Sequence, residues 1–199
     1  MNLTADEAAL CQLDENMDKL IRANGTIQHE RGTVYFTELA ESIISQQLSV
    51  KASDTIFRRF KEVTNLAPEK AAVLTEAETM RIGLSGQKAR YIRDLAEHFV
   101  QDSAVFDHLD SLSDDEVIAE LTQVKGIGVW TAQMFLMFTL GRPDVFAPDD
   151  LGLLNALVKL YDLPERPKRA DAIELAEKWK PYRTTACFHL WHMLDNKPL

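Results

Sequence analysis

The chain has 199 residues, 46% of them apolar and 27% charged, which suits one compact domain or two closely packed lobes and argues against disorder. Its formal net charge of −9 weighs against a protein that coats nucleic acid nonspecifically, although a local basic surface can still bind it. No apolar run approaches the about 20 residues of a membrane helix, and Met1-Asn2-Leu3-Thr4-Ala5-Asp6-Glu7 lacks the basic start and apolar stretch of a signal peptide.

Two cysteines, Cys11 and Cys187, make neither a disulfide framework nor a four-thiolate cluster. A reducing compartment is expected: the cytoplasm with its nucleoid in a bacterium, or the nucleus in a eukaryote.

The apolar period is helical nearly throughout. Residues 5–22 carry Ala9, Leu10, Leu13, Met17, Leu20 and Ile21 at helical spacing, 36–46 repeat it with Leu39, Ala40, Ile43 and Ile44, and 50–62 with Ala52, Ile56, Phe57 and Phe60. Thr75 with Glu78 and Ser113 with Glu116 form capping boxes. Ser85 opens a helix with Ala89, Ile92, Leu95, Ala96 and Phe99 on one face. Further helices are predicted near 129–140, 150–161, 168–179 and 183–194, with Pro143, Pro148, Pro164, Pro167 and Pro181 between them. Only Gly32-Thr33-Val34-Tyr35-Phe36 reads as extended. The fold class is all-α.

A weak basic set, Lys51, Arg58, Arg59, Lys61, Lys88, Arg90, Arg93 and Lys125, stands apart from the acids crowded between Asp102 and Glu120. Any one of these runs alone reads as a solvated surface. His29, His98, His108, His189 and His192 show no metal-ligand spacing. His189 and His192, one turn apart, read as structural or groove-facing.

The informative segment is Leu121-Thr122-Gln123-Val124-Lys125-Gly126-Ile127-Gly128-Val129-Trp130-Thr131-Ala132. A capped helix leads in and an apolar helix leads out. Two glycines two apart can take positive φ and turn the chain sharply, and they keep side chains off the backbone. The exposed amides and the positive end of the next helix can then hold a phosphate. Val124 and Ile127 anchor the turn in the core. This segment resembles a helix–hairpin–helix motif, which grips the DNA backbone without reading sequence; by itself it also reads as a plain tight turn.

Downstream, Pro148-Asp149-Asp150-Leu151-Gly152 places two acids at a helix start. Read locally, Asp149 is an N-cap and Asp150 a complement to the helix dipole. Together, I-I-S-Q-Q-L-S (43–49), V-K-G-I-G-V-W-T-A (124–132), P-D-D-L-G (148–152) and W-K-P-Y-R (179–183) resemble the helix–hairpin–helix DNA glycosylase superfamily, HhH-GPD, and within it the compact alkylpurine, or 3-methyladenine II type, enzymes. The resemblance runs from about Phe36 to Trp191.

It implies a two-lobed helical domain over 1–199 with the DNA cleft between lobes, one formed by about 36–145 with the hairpin at 121–132, the other by about 1–35 and 146–199. It implies Asp150 as the catalytic aspartate and Asp149 as the neighbouring cap. A helix N-terminus favours the ionised carboxylate the chemistry needs. Gln47 becomes the plug that fills the gap left by an extruded base, with Ser49 at the minor groove and Lys51 on a phosphate. Lys125, Gly126, Gly128 and Thr131 become DNA contacts. Trp130, Trp191 and Met134 become base-pocket residues, where indole faces suit a cationic alkylated purine; both tryptophans also read as core. Bifunctional relatives carry a nucleophilic lysine two residues past the second hairpin glycine. Trp130 stands there, so strand cleavage is not expected.

No iron–sulfur cluster or organic cofactor is expected, but the carbonyls of Thr122, Val124 and Ile127 are implied to hold sodium or potassium. The expected partner is double-stranded DNA with damaged bases, bound by a monomer, with no membrane. Two departures stand out: Met134 at a position often aromatic, and Leu154 and Asn155 where basic residues commonly follow D-L-G. Other readings remain open: a noncatalytic DNA-binding or lesion-sensing protein, and a glycosylase for etheno, deaminated or uracil bases.

Overall fold

The computed structural model describes residues 3–29, 31–32 and 34–195, with Asp195 in backbone only. Met1 and Asn2 of the N-terminal reading and Thr33 of the extended run lie outside them. Among the described residues there is no strand, and no helix is long and apolar enough to cross a membrane. The helices are α1 (Ala5–Leu13), α2 (Glu15–Asn24), α3 (Tyr35–Ser45), α4 (Val50–Thr64), α5 (Pro68–Ala72), α6 (Glu76–Ile82), α7 (Gly86–Gln101), α8 (Ser103–Phe106), α9 (Asp114–Leu121), α10 (Val129–Met134), α11 (Leu151–Tyr161), α12 (Arg169–Glu177) and α13 (Arg183–Asp195). A single turn of π-helix, Phe135–Thr139, extends α10.

The chain forms two compact units, one of Arg31–Leu140, the other of Met1–Glu30 with Gly141–Leu199. In the first, α3 packs on α4 and α7, and α9 on α10. Its core is aromatic. Phe36 meets Phe99 edge-on at 5.4 Å, and Phe99 meets Phe106 at 5.1 Å. That contact explains why Tyr35 and Phe36, which read as extended, open α3 instead: only a helix places Phe36 one turn from Leu39 and Ala40 on the buried face. The capping boxes Thr75–Glu78 and Ser113–Glu116 both form, and Ser85 caps α7.

In the second unit, α1 and α2 pack against α13. Glu7, fully buried, accepts from the Thr4 amide at 2.7 Å, from the Ile27 amide at 3.0 Å, and pairs with His189 at 3.2 Å. His189 is thus structural, and Asn24 Nδ2 meets its Nδ1 at 3.3 Å. Burial, only partly opposed by Glu7, pushes the His189 pKa down.

The continuous period over 5–22 is two helices, not one. Asp14 breaks it: its backbone amide closes α1 on the Leu10 carbonyl, and its Oδ1 caps the Asn16 and Met17 amides of α2 at 2.9 and 3.4 Å. Its Oδ2 accepts from Trp179 Nε1 at 2.9 Å, from Lys178 Nζ at 3.0 Å and from the Tyr161 hydroxyl. Burial works to raise the Asp14 pKa, but these donors outweigh it and hold it at about 2.

Candidate active site

The loop that delivers Asp150 is fastened from α13. Arg183 Nε and Nη2 grip Asp144 Oδ1 and Oδ2 at 2.7 and 3.0 Å, a two-pronged guanidinium–carboxylate pair. The Thr184 hydroxyl donates to the Arg142 carbonyl at 2.6 Å and accepts from the Val145 amide at 3.0 Å. The W-K-P-Y-R segment therefore has two duties. Trp179, fully buried, seals Asp14, while Arg183 and its neighbour hold the loop before Asp150. The Asp150 amide then closes a turn on the Ala147 carbonyl at 3.1 Å.

Asp150 itself is the N-cap of α11. Its Oδ1 accepts from the Leu153 amide at 2.7 Å and from Trp191 Nε1 at 3.0 Å. The cap expected at Asp149 thus lies one residue on. Asp149 is exposed and pairs with Arg169 at 3.2 Å, so its side chain turns outward from the helix start. The two donors on Oδ1 fix the carboxylate of Asp150, which stays only half-buried.

Gly152 makes this arrangement possible. A Cβ there would stand 3.0 Å from Asp150 Oδ1 and 3.2 Å from Trp191 Cδ1. Any larger residue would press on both partners. The sequence motif contains this glycine, but only the spatial contact with Trp191 shows what it is for. Trp191 is half-buried, and the Phe188 ring lies 6.2 Å away, itself 4.0 Å from His29. The indole N–H orients the carboxylate while the ring borders an aromatic wall.

In the other unit, the hairpin has one left-handed glycine, not two. Gly126 has φ +89, and a Cβ would fall 2.2 Å from the Tyr91 ring, so both backbone and space demand glycine. Gly128 is extended (φ −99, ψ 175) and caps α10. A Cβ there meets nothing within 4 Å. Val124 and Ile127 are buried as expected. Val124 O accepts the Ile127 amide at 3.1 Å, which leaves it a second lone pair. The Thr122 and Ile127 carbonyls are oxygen donors of the same kind.

Gln47 follows α3 with φ +58, an uncommon conformation for a residue with a side chain, and it is exposed. Its turn is braced from outside. Lys88 Nζ donates to the Ile44 and Gln46 carbonyls at 2.6 Å each, and Gln46 Nε2 donates to the Gly126 carbonyl at 2.9 Å. Gln46 and Lys88 were invisible as a brace in the sequence, because their partners lie 42 to 80 residues away. Ser49, the N-cap of α4, makes no side-chain cap bond, and both it and Lys51 are exposed.

Several residues differ from expectation. Lys125 does not stand free of the protein: its amide and ammonium both bind Asp94, the former at 2.8 Å. Thr131 is buried rather than presented as a DNA contact. Of the basic set, Arg58 pairs with Glu62, Arg93 holds the Leu74 carbonyl, and Lys88 is the brace just described. Lys51, Arg59, Lys61 and Arg90 have no such hydrogen bond or ion pair among the described residues. Trp130 is 47% exposed, which excludes a purely core role, and Met134 is half-buried one turn on.

Residues 40–181 match the model of the HhH-GPD superfamily of base excision DNA repair proteins, and the chain belongs to that family. It is 35% identical to DNA-3-methyladenine glycosylase 1 of Schizosaccharomyces pombe over 96% of this chain and 87% of that protein. The structure also superposes on a 3-methyladenine DNA glycosylase of Schizosaccharomyces pombe in complex with abasic DNA, with a TM-score of 0.83, 33% identity, and coverage of 96% and 97% of the two chains. A DNA-3-methyladenine glycosidase of Bacillus halodurans gives a TM-score of 0.88 at 32% identity, covering 97% and 90%.

Proposed function

We propose that this chain is a monofunctional DNA glycosylase that removes alkylated purines, 3-methyladenine and 7-methylguanine, from duplex DNA in base excision repair. The observation that carries the reading is Asp150: a half-buried carboxylate at a helix start, fixed by the Trp191 indole and the Leu153 amide.

A base inside the stack is out of reach, so the nucleotide must be extruded. Gln47, exposed on a strained and braced turn, is suited to fill the gap. Ser49 and Lys51 stand beside it for the minor groove and a phosphate. Gly128 explains itself in the same terms: nothing among the described residues requires glycine there, whereas a backbone amide approached closely by a phosphate does. The carbonyls of Thr122, Val124 and Ile127 would hold a sodium or potassium ion as a brace for that turn.

The half-exposed indole of Trp130 offers a face to a cationic base, favourable by roughly 0.5–2 kcal/mol. As the C1′–N bond breaks, its electron pair goes to the base and neutralises the base's charge. Positive charge grows on the sugar, where Asp150 stabilises it. A water oxygen bonds to C1′ and its proton passes to the carboxylate or to solvent. Trp130 in place of a lysine leaves no amine to cut the strand.

The test is release of 7-methylguanine or 3-methyladenine from duplex DNA by wild type and Asp150→Asn. Asparagine keeps an oxygen for the Leu153 and Trp191 donors, so the fold and DNA binding should persist while release falls by about 10³-fold. Equal release by both proteins would refute the catalytic assignment, and DNA binding without release by wild type would support a lesion-sensing role instead.

A further inference from the structure

Glu38 has no part in the mechanism above. It lies on α3, half-buried, and among the described residues its side chain makes no hydrogen bond or ion pair. It adds to the upward push that burial gives the neighbouring Glu41 carboxyl, so it sits near another acid. A half-buried carboxylate without a partner is costly.

Its placement is built. The π-helical turn after α10 sends the Phe138 carbonyl to the Gly32 amide at 3.2 Å, which draws the segment before α3 inward. Gly32 then packs on the carboxyl: a Cβ there would lie 2.5 Å from Glu38 Cδ and 2.7 Å from Oε1. Glu38 and Ser42, one turn apart on α3, line a cavity of about 120 Å³ with Thr131, Met134 and Phe138. An apolar wall with a few converging polar groups is the usual character of a ligand site. Met134 belongs to the proposed base pocket, one turn beyond Trp130 on α10.

We propose that Glu38 is a specificity-determining residue whose carboxylate accepts the adjacent N–H donors of an N-alkylated guanine. This rests on the glycosylase reading. Guanine carries N1–H beside its N2 amino group, two donors that match the two oxygens of a carboxylate. Adenine presents one amino donor beside a bare N1 lone pair, which a carboxylate repels. Both 7-methylguanine and 3-methyladenine are cationic in DNA, so the donor pattern, not the charge, discriminates between them.

The experiment measures release of each lesion from duplex DNA by the full chain, by Glu38→Gln and by Gly32→Ala, with a melting curve for each. Glu38→Gln should lower 7-methylguanine release by about tenfold or more relative to 3-methyladenine release. Its melting temperature should not fall, because no partner is lost. Gly32→Ala keeps the carboxyl but displaces it, and should move the same ratio the same way by less; it decides the matter alone if Glu38→Gln does not fold. An unchanged ratio, whether both lesions are lost alike or neither is lost, overturns the assignment and leaves the glycosylase standing. A wild-type chain that releases neither base overturns the glycosylase reading, and this inference with it.

Discussion

Two aspartates in the unit formed by the chain's ends share one local design and differ in what surrounds it. Asp14 caps α2 and accepts the indole N–H of Trp179; Asp150 caps α11 and accepts the indole N–H of Trp191. Asp14 is 7% exposed, and Tyr161 and Lys178 close over its second oxygen. Asp150 remains half-buried, with a glycine two residues on where a side chain would crowd it. A capped, indole-bound carboxylate is thus a structural device when sealed, and a candidate for chemistry when one side is left reachable. Charge alone does not tell the two apart; the exposure does.

The broadest way to break this comparison is to make the same change at both sites. Asp150→Asn should cost about 10³-fold in base release with little change in melting temperature. Asp14→Asn should do the reverse: it leaves the Trp179 and Lys178 donors poorly matched and should destabilise the fold by about 3 kcal/mol, with the chemical step intact in whatever remains folded. The pH dependence sharpens this. Asp14 has a folded pKa of about 2 against an ordinary 3.8, so its stabilisation is fully present above about pH 4 and lost as pH falls toward 2. Denaturant unfolding across that window should show about 2 kcal/mol of loss from this group in wild type, absent in Asp14→Asn. Unfolding curves that change alike for the two variants would mean that both carboxylates are structural.

How much of this was legible in the sequence follows the same division. Short-range features were readable: the capping boxes at Thr75 and Ser113, the Ser85 cap, and the buried anchors Val124 and Ile127 all depend on residues a few positions apart. Asp14 as a helix break was not readable. The apolar period of Leu10, Met17 and Ile21 runs straight through it, and its indole donor, Trp179, lies 165 residues away. At Asp149 and Asp150 the motif located the pair but not which residue caps, because Arg169 and Trp191 decide that from α12 and α13. The second positive-φ glycine was read from the G-x-G spacing, whereas the backbone needs only Gly126 left-handed. The brace of Lys88 and Gln46 and the carboxylate of Glu38 were missed for the same reason: each is defined by a partner, or a lack of one, distant in the chain.

A smaller effect tests the orienting bond at Asp150. Trp191→Phe keeps an aromatic face but deletes the N–H that meets Oδ1 at 3.0 Å. Release should fall by about tenfold, in line with a hydrogen bond to a charged group at a partly solvated site. If the loss instead tracks a rise in substrate half-saturation at constant turnover, the indole serves the base and not the carboxylate.

The smallest expected effect belongs to Gly152→Ala. Its φ is not left-handed, so alanine suits the helical backbone and even favours it. The added methyl, however, would lie 3.0 Å from Asp150 Oδ1 and 3.2 Å from Trp191 Cδ1, tighter than comfortable contact with either. Relief requires the carboxylate or the ring to move by a few tenths of an ångström. The thermal melt should therefore hold or rise while base release falls by a few fold, roughly threefold to tenfold, since catalytic groups tolerate little displacement. Stability and activity moving in opposite directions at one methyl group would separate positioning from folding. Parallel losses would place Gly152 in the same structural class as the residues around Asp14.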